Sequence, residues 1–239
     1  MPNPLKLVIF DVDGTLVDSQ NIICAAMHNA FTKNRLDCPP RDKLLSIVGL
    51  SLPEAFERLG EGRAGFPVPS LVEHYKDAFF ALREANAHPE VLYPGARDSI
   101  EALAARRDTL LGVATGKSQR GARAVLARHD LSAHFAVIKT ADDAPSKPHP
   151  GMVLEAMRET GIGAADTVMI GDSIYDMEMA RAAGAHAIGV SWGYHAPEAL
   201  RGAGAHMVVE DFSALVNAIE AFRGSASRLR EKSRAGAGS

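Results

Sequence analysis

Cysteine is scarce in this chain: Cys24 and Cys38 are the whole complement among 239 residues. Two thiols cannot staple a small scaffold, and their spacing matches no metal-ligand pattern. Both are therefore expected to be reduced, inert thiols of a cytoplasmic protein. An excess of positive charge is also missing, since 26 Lys and Arg face 29 Asp and Glu for a net charge of −3. With no basic block in the body of the chain, nucleic acid is not an expected partner. No apolar run approaches the ~20 residues of a membrane helix, so no membrane partner is expected either. The first apolar run is too short for a signal peptide and leads straight into acidic residues. What is present is 46% hydrophobic and 23% charged residues, which suits a globular protein. The length accommodates one large domain, or a core carrying a smaller insert.

The most informative stretch is Lys6 to Ser19, KLVIFDVDGTLVDS. Leu5, Leu7, Val8, Ile9 and Phe10 form an apolar run of the kind found in strands buried on both faces. Asp11 and Asp13 follow at once, then Gly14 and Thr15, before Leu16 and Val17 restore the apolar character. Two carboxylates at the end of a buried strand call for a cation, a partner or a reaction. In open α/β sheets the carboxyl edge of the strands is where ligands bind.

From Asp18 the period changes to that of a helix. Ile22, Ile23, Ala26, Met27, Ala30 and Phe31 share a face, with Asp18 or Ser19 as N-cap. Ser51-x-x-Glu54 and Ser70-x-x-Glu73 have capping-box form, and Leu71, Val72, Tyr75, Phe79 and Leu82 continue the second run. Residues 19–88 are therefore expected to be an all-helical insert. After Tyr93-Pro94-Gly95, strands and helices alternate. Strands are predicted over 110–114, 135–138, 167–170, 187–190 and 207–209, and helices over 99–107, 119–129, 151–160, 177–183 and 212–222. This order predicts an α/β fold with a doubly wound parallel sheet, formed by residues 1–18 and 89–224. The Gly-, Ala-, Ser- and Arg-rich stretch 225–239 is expected to be a disordered tail.

Three further polar segments stand where strands end or helices begin: Thr115-Gly116-Lys117-Ser118, Ser146-Lys147-Pro148-His149-Pro150, and Gly171-Asp172-Ser173 with Asp176 one turn on. In a parallel sheet these converge on Asp11 and Asp13. Crowded carboxylates require a hard cation, and Mg²⁺ takes oxygen ligands. One carboxylate can attack phosphorus, while a second moves the proton. A hydroxyl, a backbone N–H and an ammonium can hold the transferring phosphoryl group.

Asp11-Val12-Asp13-Gly14-Thr15, Thr115-Gly116, Lys147-Pro148 and Gly171-Asp172-Ser173-x-x-Asp176 together resemble the four motifs of the haloacid-dehalogenase superfamily. The insert resembles its C1-type helical cap. Tyr93-Pro94-Gly95 and Lys147-Pro148-His149-Pro150 resemble the phosphoglycolate-phosphatase-like branch of subfamily IA. The resemblance implies a phosphoric monoester hydrolase with Asp11 as nucleophile and Asp13 as general acid/base. It implies Mg²⁺ held by Asp11, the Asp13 carbonyl and Asp172, and phosphoryl binding by Thr115, Gly116 and Lys147. Asp176 and Ser173 would support the metal's waters or Lys147. The implied partner is a small phosphorylated metabolite, and the implied state a monomer or homodimer. An acid at Asp13 favours phosphoryl transfer, because dehalogenases of the superfamily lack one there.

Other readings of the same residues are weaker. Counting from Asp11, a calcium loop would need Gly at its sixth position and Glu at its twelfth, where Leu16 and Ile22 stand. Gly112 lies one residue too close to Gly116-Lys117-Ser118 for a P-loop, and Gly161-x-Gly163 precedes a strand instead of following one. Arg41, Arg58 and Arg63 are expected to be surface charges of the insert, His149 a turn residue, and Trp192 and Tyr194 members of a surface loop. A pyrophosphatase and a sugar-phosphate mutase of the same superfamily are the enzymatic alternatives. The mutases often carry an Arg after a Gly-x-Ser segment, where this chain has Leu52 after Gly49-Leu50-Ser51. A non-catalytic binding protein is disfavoured by the joint presence of Asp11, Asp13, Lys147 and Asp172.

Overall fold

The computed structural model describes residues 5–222. The 225–239 segment expected to be disordered lies outside them. Strand β1 (Lys6–Phe10) is buried along its whole length, because it is hydrogen-bonded on both sides and covered on both faces. It pairs in parallel with β4 (Thr109–Thr115) and with β6 (Thr167–Gly171). Adding β5 (Phe135–Thr140), β7 (His186–Val190) and β8 (Met207–Val209) gives a parallel sheet in the order β5-β4-β1-β6-β7-β8. The chain builds outward from β1 through β4 to β5, then returns to β6 on the other side. The carboxyl end of β1 is thus the point where strand order reverses, and loops leave it in opposite directions.

The alternation of β1 feeds two cores. Val8 and Phe10 join Ile100, Leu126, Leu215 and Ile219 on one face. These come from α5 (Ala96–Ala104), α6 (Gln119–Arg128) and a final helix, α10, over residues 212–222. Leu7 and Ile9 join Met152, Val153, Met177 and Met179 on the other face, from α7 (Gly151–Thr160) and α8 (Ile174–Ala182). Leu200 of α9 (Pro197–Gly202) completes that layer. The unbroken apolar run of β1 is explained by this double burial.

Between β1 and β4 the chain makes a helical excursion. Two short strands, β2 (Val17–Asp18) and β3 (Val91–Leu92), pair antiparallel, so the outgoing and returning chains cross side by side. Their two-residue length gives no period, and the sequence did not reveal them. The excursion contains α1 (Gln20–Lys33), α2 (Arg41–Leu45), α3 (Leu52–Gly60) and α4 (Val68–Glu84). Met27 and Phe31 of α1 pack with Phe56 and Leu59 of α3 and with Leu71 and Tyr75 of α4.

Three expected caps behave differently. Ser19 is the N-cap of α1 but makes no side-chain cap bond; its Oγ donates to Asp13 instead. Ser51 precedes α3 in extended conformation without capping it, and its N–H donates to Ser146 Oγ at 2.9 Å. Ser70 lies inside α4, which starts two residues earlier at Val68, and its Oγ donates to Asn34 Oδ1 at 2.8 Å. In each case a tertiary partner has displaced the local bond.

Candidate active site

Asp11 leaves β1 with its N–H donated to the Ile170 carbonyl at 2.9 Å, which ties the start of the acidic loop to β6. The loop then closes on itself: the N–H groups of Thr15, Leu16 and Val17 all donate to the Val12 carbonyl. Gly14 turns the loop at φ +82°, and a Cβ there would stand 2.2 Å from Asp172 Oδ2. Only glycine meets both demands. Thr15 Oγ1 donates to Asp172 Oδ1 at 2.9 Å, so the end of β1 holds the carboxylate at the end of β6.

The structure brings Asp11, Asp13, Thr115, Gly116, Lys147, Asp172, Ser173 and Asp176 to one edge of the sheet. Asp11, Asp172 and Asp176 are buried, and each offers an oxygen within 4.8 Å of the others. Lys147 Nζ stands 3.0 Å from Asp11 Oδ1 and 2.6 Å from Asp176 Oδ1, and its side chain is fully buried. Ser173 and Asp176 form a capping box at the start of α8: Asp176 Oδ2 accepts from the Ser173 N–H at 3.1 Å and from Ser173 Oγ at 2.6 Å. Both Asp176 oxygens are therefore engaged within the protein, one by Lys147 and one by the helix start. Both Asp11 oxygens are buried yet make no well-directed hydrogen bond.

Burial pushes the Asp11 carboxyl up to about 7; Lys147 pulls it down, while Asp176 and Asp13 raise it further. Burial likewise raises Asp172 well above the usual carboxylate range, with Asp176 and Asp11 adding to the effect. Burial alone would lower Lys147, but Asp11 and Asp176 outweigh it and hold the ammonium up at about 12. A site with this excess of buried negative charge gains from a cation. The donors are hard carboxylate oxygens, and neither Asp11 oxygen has a well-directed hydrogen bond to satisfy it. This set fits a divalent ion of the Mg²⁺ type.

Asp13 faces the helical excursion instead. Lys117 Nζ donates to its Oδ1 at 2.6 Å and its Oδ2 at 2.9 Å, and also stands 3.2 Å from Glu90 Oε1. Arg83 of α4 closes the chain, with Nε donating to Glu90 Oε2 at 2.8 Å. Sequence reasoning weighed Lys117 only as part of an imitation P-loop and missed Glu90 and Arg83. The available signal was position, since Lys117 follows the last strand residue of β4 by two. Trp192 and Tyr194 were also assigned too little. Trp192 Nε1 donates to the Thr15 carbonyl at 3.0 Å, the Tyr194 N–H donates to Asp172 Oδ2 at 2.8 Å, and the Tyr194 hydroxyl meets the Ser19 N–H. Their loop after β7 thus braces both acidic loops.

Thr115 ends β4, is buried, and accepts the Lys117 N–H at 3.3 Å, which leaves its own hydroxyl proton to donate. Gly116 lies directly beneath the excursion: a Cβ there would come within 2.3 Å of the Gly49 carbonyl oxygen. The Tyr175 hydroxyl donates to the Ser46 carbonyl at 2.9 Å, so residues 46–51 are seated on the strand ends. Between the two parts lies a cavity of about 390 Å³, with Asp11, Asp13 and Thr115 in its floor. Arg41, Arg58 and Arg63 are absent from its lining. Arg41 bonds Gln20 and Asn21, Arg58 covers the Tyr175 ring, and Arg63 covers Phe66. His149 is a turn residue, with Nδ1 accepting the Gly151 N–H.

The profile of the haloacid dehalogenase-like hydrolase family matches residues 8–190. The chain is 36% identical over 221 residues to the probable phosphatase IndB of Dickeya dadantii, covering 90% of this chain and 94% of that one. It is 35% identical over 195 residues to a phosphoglycolate phosphatase of Chromobacterium violaceum, covering 80% and 86% respectively. Its fold matches that of a hydrolase from Pseudomonas syringae with a TM-score of 0.79 and 28% identity, over 90% of this chain and 98% of the other.

Proposed function

The chain belongs to the haloacid dehalogenase-like hydrolase family, and from that premise we propose that it is a Mg²⁺-dependent phosphatase acting on a small phosphomonoester through an aspartyl-phosphate. Its similarity to named phosphatases supports the reaction class. The observation that carries the mechanism is Asp11: a buried carboxylate with no well-directed hydrogen bond, beside a buried lysine at the switch point of the sheet.

In this reading an Asp11 oxygen attacks phosphorus and the bond to the ester oxygen breaks. Asp13 gives its proton to the departing alkoxide, then takes one from the water that attacks the phosphoryl group and frees Asp11. A monoanionic ester would bring the first proton with it. Lys117 donates to both Asp13 oxygens and so fixes where that carboxyl group stands. The Thr115 hydroxyl, the Gly116 N–H and Lys147 would hold the non-bridging oxygens, where negative charge must be balanced as the bond breaks. Asp176, locked by Ser173, positions Lys147. Asp11, the Asp13 carbonyl and Asp172 would hold Mg²⁺, which supplies charge neutralisation and orientation of the phosphoryl group. The helical excursion would act as a cap that excludes bulk water.

The test is phosphate release from p-nitrophenyl phosphate with Mg²⁺, with EDTA, and by Asp11→Asn. Turnover is expected only in the first case. Turnover that survives chelation and the substitution contradicts the mechanism.

A further inference from the structure

The cavity above Asp11 has a roof unlike its floor. Met27, Leu50, Leu52, Tyr75 and Phe79 line it from the helical excursion. Two cations also line the cavity, Lys117 from the loop after β4 and Arg83 from α4, and each is paired with a carboxylate. Lys117 is held by Asp13 and Glu90, and Arg83 stands 2.6 Å from Glu90 through Nη2. Two positive and two negative groups cancel within this buried set. Lys76 and Arg120 line the cavity too, but both are exposed.

A leaving group that is itself a small anion, such as a second phosphate or a carboxylate, needs an uncommitted cation next to the scissile bond. Among the described residues, each cation of the inner wall is already paired with a carboxylate. A volume of about 390 Å³ also exceeds the needs of a two-carbon leaving group and falls in the range of pockets that enclose ring-sized ligands. The Tyr75 side chain is more than nine-tenths buried, and its hydroxyl makes no hydrogen bond to any described residue.

We propose that the cavity selects phosphomonoesters whose alcohol carries an uncharged, largely apolar, ring-sized group, in preference to esters of small anionic alcohols. This rests on the phosphatase reading for its catalytic half. The apolar group packs on the roof, the phosphoryl group sits over Asp11, and an acceptor on the ring meets the Tyr75 hydroxyl.

The experiment compares 2-phenylethyl phosphate, ethyl phosphate and phosphoglycolate, esters of unactivated alcohols that differ in size and charge. Turnover is measured on the wild-type enzyme with Mg²⁺, and binding on Asp11→Asn by calorimetry. The expected kcat/KM for 2-phenylethyl phosphate exceeds that for each of the others by roughly tenfold or more, with the same order in binding. Leu52→Asp should shrink that advantage to about threefold or less by placing charge in the roof. Equal or better turnover and binding of phosphoglycolate or ethyl phosphate overturns the proposal. The expected binding order without hydrolysis of any ester would uphold the cavity's selectivity while overturning the phosphatase reading.

Discussion

The floor and the roof of this cavity solve different problems. In the floor, nearly every polar atom is fixed by another: Ser173 holds Asp176, Asp176 holds Lys147, and Thr15 and the Tyr194 N–H hold Asp172. The roof is built of Met27, Leu50, Tyr75 and Phe79, side chains that tolerate exchange at similar volume. A charged link between them is the run Arg83–Glu90–Lys117–Asp13, beside the neutral bonds from Ser51 to Ser146 and from Tyr175 to Ser46. The contrast is between an interlocked polar floor and an apolar roof, and under the proposed function reaction chemistry and substrate choice should be separable by mutation.

The largest effect is expected in the floor. Asp11→Asn should lower kcat by about 10⁴-fold or more, while circular dichroism and thermal melting show a folded protein. A comparable loss from a roof residue outside the linking run would break the comparison. Lys147→Met comes next. It leaves Asp11 and Asp176 buried without their cation, at a cost of about 3–5 kcal/mol in denaturant unfolding. Mg²⁺ should raise the melting temperature, by an amount equivalent to about 2.7 kcal/mol at a hundredfold excess over its Kd. Asp172→Asn should remove most of that rise.

Glu90→Gln probes the link itself. It leaves Lys117 paired with Asp13 alone and Arg83 facing a neutral amide, and should cost about 1–3 kcal/mol in unfolding free energy together with a loss of kcat. Met27→Leu, in the roof, should cost less than about 1.5 kcal/mol and leave turnover of p-nitrophenyl phosphate near the wild-type value. A last change lies outside both regions. His186 stacks against His206 at 3.9 Å and Phe222 at 4.5 Å, and burial, with help from His206 and Arg181, brings its pKa down to about 4. The unfolded chain binds that proton near pH 6.5, so stability should decline as pH falls from 6.5 towards 4. His186→Phe should flatten that decline in a series of melts. If it does not, the decline belongs to another group lowered by burial, such as His206, because the raised carboxyls of Asp11 and Asp172 act with the opposite sign.

The floor was legible in the sequence because its chemistry is local. Each motif follows a strand or opens a helix, and the parallel sheet aligns those ends. The links between motifs were less legible, since they depend on distances that the sequence does not carry. Lys117 looked like the end of a defective P-loop, yet the fold turns it onto Asp13, 104 positions away. Glu90 lay in a region with no helical or strand period, and becomes buried only because β2 and β3 cross there. Trp192 and Tyr194 read as loop aromatics, but their hydrogen bonds run to Thr15 and Asp172. The roof was legible only as a helical face: periodicity identified Met27 and Tyr75 as buried without saying that they enclose a cavity.

The central claim is that Asp11 carries the phosphoryl group. Acyl phosphates are reduced by borohydride to alcohols, so quenching the enzyme during turnover with borohydride converts a phosphorylated aspartate to homoserine. Peptide mass spectrometry should find homoserine at position 11 only when substrate and Mg²⁺ are both present. Homoserine at another aspartate, or steady phosphate release with position 11 always recovered as aspartate, would contradict the account.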